Sequence, residues 1–178
     1  MPAFDIEGAS LDEAKAWLRT HFEKGTHCPC CRRFVKLYKR NINSSMAAAL
    51  ILLYRWDQRH PGQWMQITDV IAEASAGLQR RYVTDVAKLA AWEVIEPLEG
   101  ERDDGSKRNG FWRMTDVGRD FCSGRISLPK YTYHYNQEVL HRKNPDPTMA
   151  SIREALGDKF NYDELMRATP ETLKEKTL

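Results

Sequence analysis

A chain of 178 residues, 42% hydrophobic and with a formal net charge of +2, is long enough for one full domain plus a smaller appendage and apolar enough to fill a core. Its one long apolar run, Met46 to Tyr54, is far below the roughly 20 residues that span a bilayer. The opening Met1-Pro2-Ala3-Phe4-Asp5-Ile6-Glu7 lacks the basic-then-apolar order of a signal peptide, so a soluble, cytoplasmic protein with no membrane partner is expected.

The first helix is announced by Ser10-Leu11-Asp12-Glu13, a capping box in which Ser10 accepts from a free backbone amide and Glu13 reaches back. Leu11, Ala14, Leu18 and Phe22, with Trp17 beside them, recur at helical spacing as one apolar stripe, and Gly25 is the expected stop. Thr26-His27-Cys28-Pro29-Cys30-Cys31-Arg32-Arg33 reads as a tight knuckle, since Pro29 fixes one backbone angle between thiols. Arg33 to Arg40 fits a strand or a short helix.

Three of the four cysteines fall within four positions and Cys122 stands apart, a spacing that draws no disulfide framework and favours a reducing compartment. Cys28-x-x-Cys31 resembles half of a zinc ribbon, in which two thiolates on a tight turn occupy two corners of a tetrahedron. Zn2+ is therefore the candidate cofactor, in a structural role. Cys28 and Cys31 are the primary candidate ligands. The rest would come from His27, Cys30, His21, Cys122, His134 or His141, or from the same knuckle of a second subunit. Idle thiols behaving as small hydrophobes and a redox or disulfide role are the alternatives. The adjoining Arg32, Arg33, Lys36, Lys39 and Arg40, interleaved with Phe34 and Tyr38, form the strongest basic cluster of the chain, suited to lowering a thiol pKa or to meeting a phosphate backbone.

From Asn43 to Gly124 the order of elements matches a winged helix-turn-helix. An apolar helix at Met46 to Tyr54 leads to a short strand at Trp64 to Ile67 and a helix from about Asp69 to Ala74. A second amphipathic helix spans about Gln79 to Trp92. Val94 to Leu98 and Phe111 to Thr115 then flank a polar hairpin tip, Glu99 to Gly110, and Thr115 to Phe121 reads as a capped short helix. On a helical wheel Leu78, Tyr82, Val83, Val86, Leu89 and Ala90 share one side, while Arg80, Thr84, Ala87, Lys88 and Ala91, with Arg81 at the edge, share the other. The second face has the chemistry a major groove takes: Arg forks onto guanine, Thr meets a methyl or a phosphate, and Ala permits close approach. The alternative is a plain solvated face, which Asp85 favours because a carboxylate is repelled by phosphate.

Further on, Tyr131-Thr132-Tyr133-His134-Tyr135 alternates with the strand period, its tyrosines reading as packing or as a base-stacking stripe. Asn144-Pro145-Asp146-Pro147-Thr148 reads as a linker. Ser151 to Glu154 is a second capping box, Gly157 a stop, Asn161 to Met166 a short helix, and the residues from Thr169 a mobile end.

Val86-x-x-Leu89, Val94-Ile95-Glu96, Asp103-Asp104-Gly105-Ser106-Lys107-Arg108 and Met114-Thr115-Asp116-x-Gly118-Arg119 together resemble the winged-helix segment of MarR-type transcriptional regulators over about residues 46 to 124. The resemblance implies DNA contacts at Arg80, Arg81, Thr84 and Lys88 and at wing residues Lys107 and Arg108; apart from it, the basic cluster with Arg32, Arg33 and Lys36 is a second candidate surface for nucleic acid. The resemblance also implies a possible homodimer.

The expected fold class is α+β. A winged-helix core at 46–128 would follow an N-terminal helix and knuckle at 1–45 and precede a short C-terminal extension at 129–178. The expected function is non-enzymatic binding of double-stranded DNA by a regulator of bacterial or phage origin. The rival is an interaction module that takes a protein partner. Charge motivates the rival: residues 46–128 carry 11 Lys/Arg against 12 Asp/Glu, a net −1, whereas residues 1–45 carry 8 against 5, a net +3. No Gly-rich phosphate loop, no His-Glu-x-x-His and no nucleophile with a nameable partner is present, so no catalysis is expected.

Overall fold

The computed structural model describes residues 4–5, 7–74, 85–100, 110–136, 138–140 and 148–167. Its contacts divide the chain into two units, Met1–Arg40 with Tyr131–Asp146 and Asn41–Lys130 with Pro147–Leu178. This is a different partition from the linear one expected at 45 and 128, because the segment after Lys130 is shared between the units. The protein is α+β, with several small antiparallel sheets.

In the first unit, α1 (Leu11–His21) starts on the expected capping box, with both the Ser10 and the Glu13 bonds made. A 3-10 turn at Phe22–Lys24 follows and ends at Gly25, whose φ of 89° suits glycine. Ala14 and Phe22 are buried, whereas Leu11, expected in the stripe, is exposed. It is the first residue of α1, directly after the N-cap Ser10. Strands β1 (Thr26–His27) and β2 (Phe34–Val35) pair antiparallel, with Thr26 opposite Val35 and His27 opposite Phe34. Strands β3 (Tyr38–Asn41), β8 (Tyr131–Tyr135) and β9 (Glu138–Val139) form a sheet in that order. Arg33 to Arg40 thus holds two short strands joined through Lys36 and Leu37, and no helix. The Phe22 ring tilts against Tyr135 at 4.4 Å, and the Lys39 ammonium lies 3.6 Å over Tyr131, a cation–π contact.

The second unit is built around α2 (Ser44–Arg59), capped by Asn43 accepting from the Met46 amide. Every residue from Met46 to Tyr54 is buried, so this helix has no wet face through that stretch. The apolar composition requires such enclosure, and α3 (Ile67–Ala74), α4 (Asp116–Cys122), α5 (Ile152–Leu156) and α6 (Tyr162–Arg167) all pack on it. Strand β4 (Met65–Gln66) leads into α3. Strands β5 (Ile95–Pro97) and β6 (Phe111–Met114) complete an antiparallel sheet of order β4-β6-β5, with Met65 opposite Trp112 and Ile95 opposite Met114. Strands β7 (Leu128–Pro129) and β10 (Met149–Ala150) pair as a separate ribbon. Thr115 caps α4 through the Gly118 amide, and Ser151 with Glu154 closes the second expected capping box.

One element departs from expectation. Between β4 and β5 the described residues Val86–Trp92 form a 3-10 helix, not an α-helix. Three residues per turn align Val86, Leu89 and Trp92, all buried, and Ala91, expected on the outer face, is buried too. Residues 79–84 of the expected helix lie outside the described residues, as do 101–109 of the hairpin tip, 144–147 of the linker and the end from Thr169. Among the described residues no helix is long and apolar enough to cross a membrane.

Candidate nucleic-acid interface

The basic knuckle is a closed six-residue connection between β1 and β2. The Cys28 amide donates to Arg33 O at 2.8 Å, and the Arg32 amide donates back to Cys28 O at 2.8 Å. That second bond forces Arg32 into the left-handed region, at φ 60°. Within the turn the amides of Cys31 and Cys30 point at the Cys28 sulfur. Together with the two neighbouring thiols, they hold its pKa below the ordinary thiol value, the Cys31 amide having the largest effect and partial burial opposing. The Cys30 thiol goes the other way, raised by desolvation and by charge on Cys28, with Lys15 of α1 opposing.

Cys30 and Cys31 are exposed and Cys28 is half-buried. His27 is exposed on β1 with its ring edge-on to Phe34 at 5.5 Å. The remaining candidate ligands are engaged elsewhere. His21 is stacked on Trp17 at 4.2 Å, with Nδ1 2.8 Å from Trp17 O. The His134 ring lies 2.9 Å from the Thr132 hydroxyl. Cys122 is wholly buried in the second unit, facing Leu50 O, and burial pushes its thiol pKa well up. His141 lies outside the described residues. Among the described residues no three His, Cys, Asp or Glu side chains are arranged to hold a metal ion.

Arg32, Arg33, Lys36, Lys39 and Arg40 are all exposed, and no acid occurs between Thr26 and Asn41. Phe34 and Tyr38, 54% and 52% exposed, stand among these cations. A left-handed arginine is disfavoured by about 1 kcal/mol relative to glycine, part of which glycine's unfolded-state entropy offsets. Arg32→Gly should therefore slow amide exchange at Cys28 and Arg32 and raise stability by up to about 1 kcal/mol. Faster exchange would show that the arginine side chain, and not the backbone, holds the turn.

Of the expected reader face, only Lys88 lies within the described residues among its polar members. It is exposed and ion-paired to Asp85. Arg80, Arg81, Thr84, Lys107 and Arg108 lie outside the described residues. On the neighbouring sheet Arg113 pairs with Glu96 and lies 4.6 Å over the Trp64 ring, a cluster the sequence did not signal because its partners come from three strands or their edges.

Comparison with protein-family models, with curated proteins and with solved structures found no match.

Proposed function

We propose that this chain is a non-enzymatic, winged-helix protein that binds double-stranded DNA, a transcriptional regulator of bacterial or phage origin. The observation that carries the reading is the element order α2, β4, α3, helical turn, β5, β6 with a sheet of order β4-β6-β5. That is the order of a winged helix-turn-helix, whose second short helix enters the major groove and whose hairpin lies on the backbone. In this reading Arg80, Arg81, Thr84 and Lys88 face the bases, Lys107 and Arg108 grip phosphate from the wing, and Arg32, Arg33 and Lys36 supply a further electrostatic contact. The acid-free, exposed basic run of the knuckle supports that last part, since sequence-independent affinity comes from cations displacing counterions.

Gel-shift titration of selected duplexes at several salt concentrations tests the proposal. The log–log salt slope should fall by about 1 for each phosphate contact removed, so Arg32→Ala with Arg33→Ala should flatten it by about 2. Arg80→Ala with Lys88→Ala should weaken binding and relax sequence preference. Absence of binding to any duplex at low salt would overturn the proposal.

A second reading is a module that takes a protein partner. It is favoured by the pairing of described cations of the second unit with acids: Lys88 with Asp85, Arg113 with Glu96, Arg119 with Asp57. Passage over DNA resin at low salt discriminates, because only the first kind is retained.

A further inference from the structure

From Phe34 to Arg40 the first unit turns aromatic and cationic side chains outward in alternation. Between Phe34 and Tyr38 burial changes residue by residue: Val35 and Leu37 are half-buried, while Phe34, Lys36 and Tyr38 are exposed. That is the period of an extended chain with one side facing inward. Arg40 continues the outer series along β3, one period beyond Tyr38. Lys39, on the other side of the strand, lies over Tyr131. The series is anchored, because His27 opposes Phe34 across β1 and β2 and the Leu37 amide donates to Phe22 O at 3.1 Å.

Both rings are more than half exposed, yet Phe34 is held in place. A Cβ added at Gly25 would meet the Phe34 Cζ at 2.7 Å, so the ring lies against the glycine backbone that leads into β1. The His27 ring supports it from the side, at 69° and 5.5 Å between centroids. A ring supported in this way presents a flat surface to solvent, with Lys36 next to it in the outer series. Aromatic faces bordered by cations suit an unpaired nucleotide chain, since every base has a face to stack and cations track its backbone. In a duplex those base faces are covered by the neighbouring pairs. An anionic membrane attracts the same cations, but burial in its headgroups takes apolar side chains that stand clear of their neighbours. Charge complementarity is strong here, because no acid occurs between Thr26 and Asn41.

We propose that this side of the first unit binds single-stranded nucleic acid, with Phe34 and Tyr38 each stacking on a base and Lys36 and Arg40 meeting the phosphates. The cation between the two rings in the outer series takes the backbone that links the stacked bases. The inference goes beyond duplex binding by the winged helix, which belongs to the other unit, and does not depend on it.

The experiment follows the full chain at low salt by fluorescence anisotropy with labelled oligothymidylate of about 12 nucleotides, within the usual span of such sites. Phe34→Leu and Tyr38→Leu keep apolar bulk and remove the ring face. Each should weaken strand binding about 5- to 100-fold and leave its salt dependence unchanged, whereas Tyr38→Trp keeps the affinity. Lys36→Ala should instead flatten the log–log salt slope by about 0.7, one phosphate contact on a single strand. Tyr38→Leu should leave duplex affinity as it was. A matching oligouridylate separates the two sources of such a strand: tighter binding marks RNA, weaker binding DNA. Should Phe34→Leu fail to fold, photo-cross-linking of the unaltered chain to a strand carrying 4-thiothymidine gives an independent reading, with the adduct expected at Phe34 or Tyr38. No binding of the strand, unchanged affinity in both leucine variants, or an adduct only outside residues 33–40 would overturn the proposal. Equal loss of strand and duplex binding in Tyr38→Leu would overturn the stacking role. Binding to phosphatidylserine vesicles that is lost in the leucine variants while strand binding persists would reassign the surface to a membrane. A chain that binds the strand and no duplex supports this inference and sinks only the duplex reading, so the two failures are separate results.

Discussion

Replacing Gly118 with alanine should destabilise the second unit by about 3 kcal/mol or more, the upper range for forcing atoms into a packed core. Gly118 is buried in α4, and a Cβ built there would lie 2.1 Å from the carbonyl oxygen of Val94 and 3.0 Å from the Met114 methyl. The obstructing atom is backbone. It already accepts the Thr115 amide at 3.2 Å, and Val94 is fully buried at the start of the sheet, so the carbonyl cannot swing aside without breaking the join between α4 and β5. Gly124 is the contrast: its φ of 76° strains any other residue, yet nothing lies within 4 Å of its added Cβ. Gly124→Ala should cost only the left-handed penalty of about 1 kcal/mol. Urea unfolding of both variants checks the difference, and equal midpoints would show that helix and strand can separate freely.

Arg119→Ala should cost about 3 to 5 kcal/mol, the penalty for leaving one member of a buried ion pair without its partner. Arg119 grips Asp57 with two parallel bonds, Nε to Oδ2 at 2.8 Å and Nη2 to Oδ1 at 3.0 Å. Asp57 is 2% exposed. Its other neighbour is the Gly62 amide at 3.4 Å, too long to carry a carboxylate alone. Asp57→Ala should cost less, about 1 to 2 kcal/mol, because Arg119 still reaches water and keeps the Asp116 carboxylate and Met114 O. Hydrogen bonds from Arg119 to Asp57 are also the main reason its guanidinium pKa is raised further. In a double-mutant cycle the paired loss should fall well short of the sum of the two. Costs of equal size for both single variants would mean that Asp57 finds another partner or water.

What the sequence made legible was local. Both capping boxes, the Thr115 cap and the stop at Gly25 each need only residues within four positions, and each formed. The knuckle belongs with them, because Cys28 to Arg33 closes on itself. Contacts spanning long stretches left no trace beforehand. The Arg119–Asp57 fork joins residues 62 apart, and the ribbon of Leu128–Pro129 with Met149–Ala150 has strands of two residues, too short to carry a period. The segment Val86–Trp92 misled for a different reason. Its apolar residues satisfy a period of three as well as one of 3.6, and only the tertiary setting, with Trp92 Nε1 donating to Pro129 O at 2.7 Å, selects the tighter winding. At the site, the thiols and the basic run could be read from spacing, whereas Tyr131 beneath Lys39 needed the folded chain.

The enclosure of α2 also orders events on the ribosome. Its apolar flank emerges early, yet one of the groups that seal it, Leu165, whose carbonyl accepts from Arg55, is 110 residues further on. Closure over such a separation is slow, and a nascent chain with a greasy rod exposed is prone to stick to its neighbours until α6 arrives. Production of this protein in quantity should accordingly reward slower translation or added chaperone more than any change to its surface.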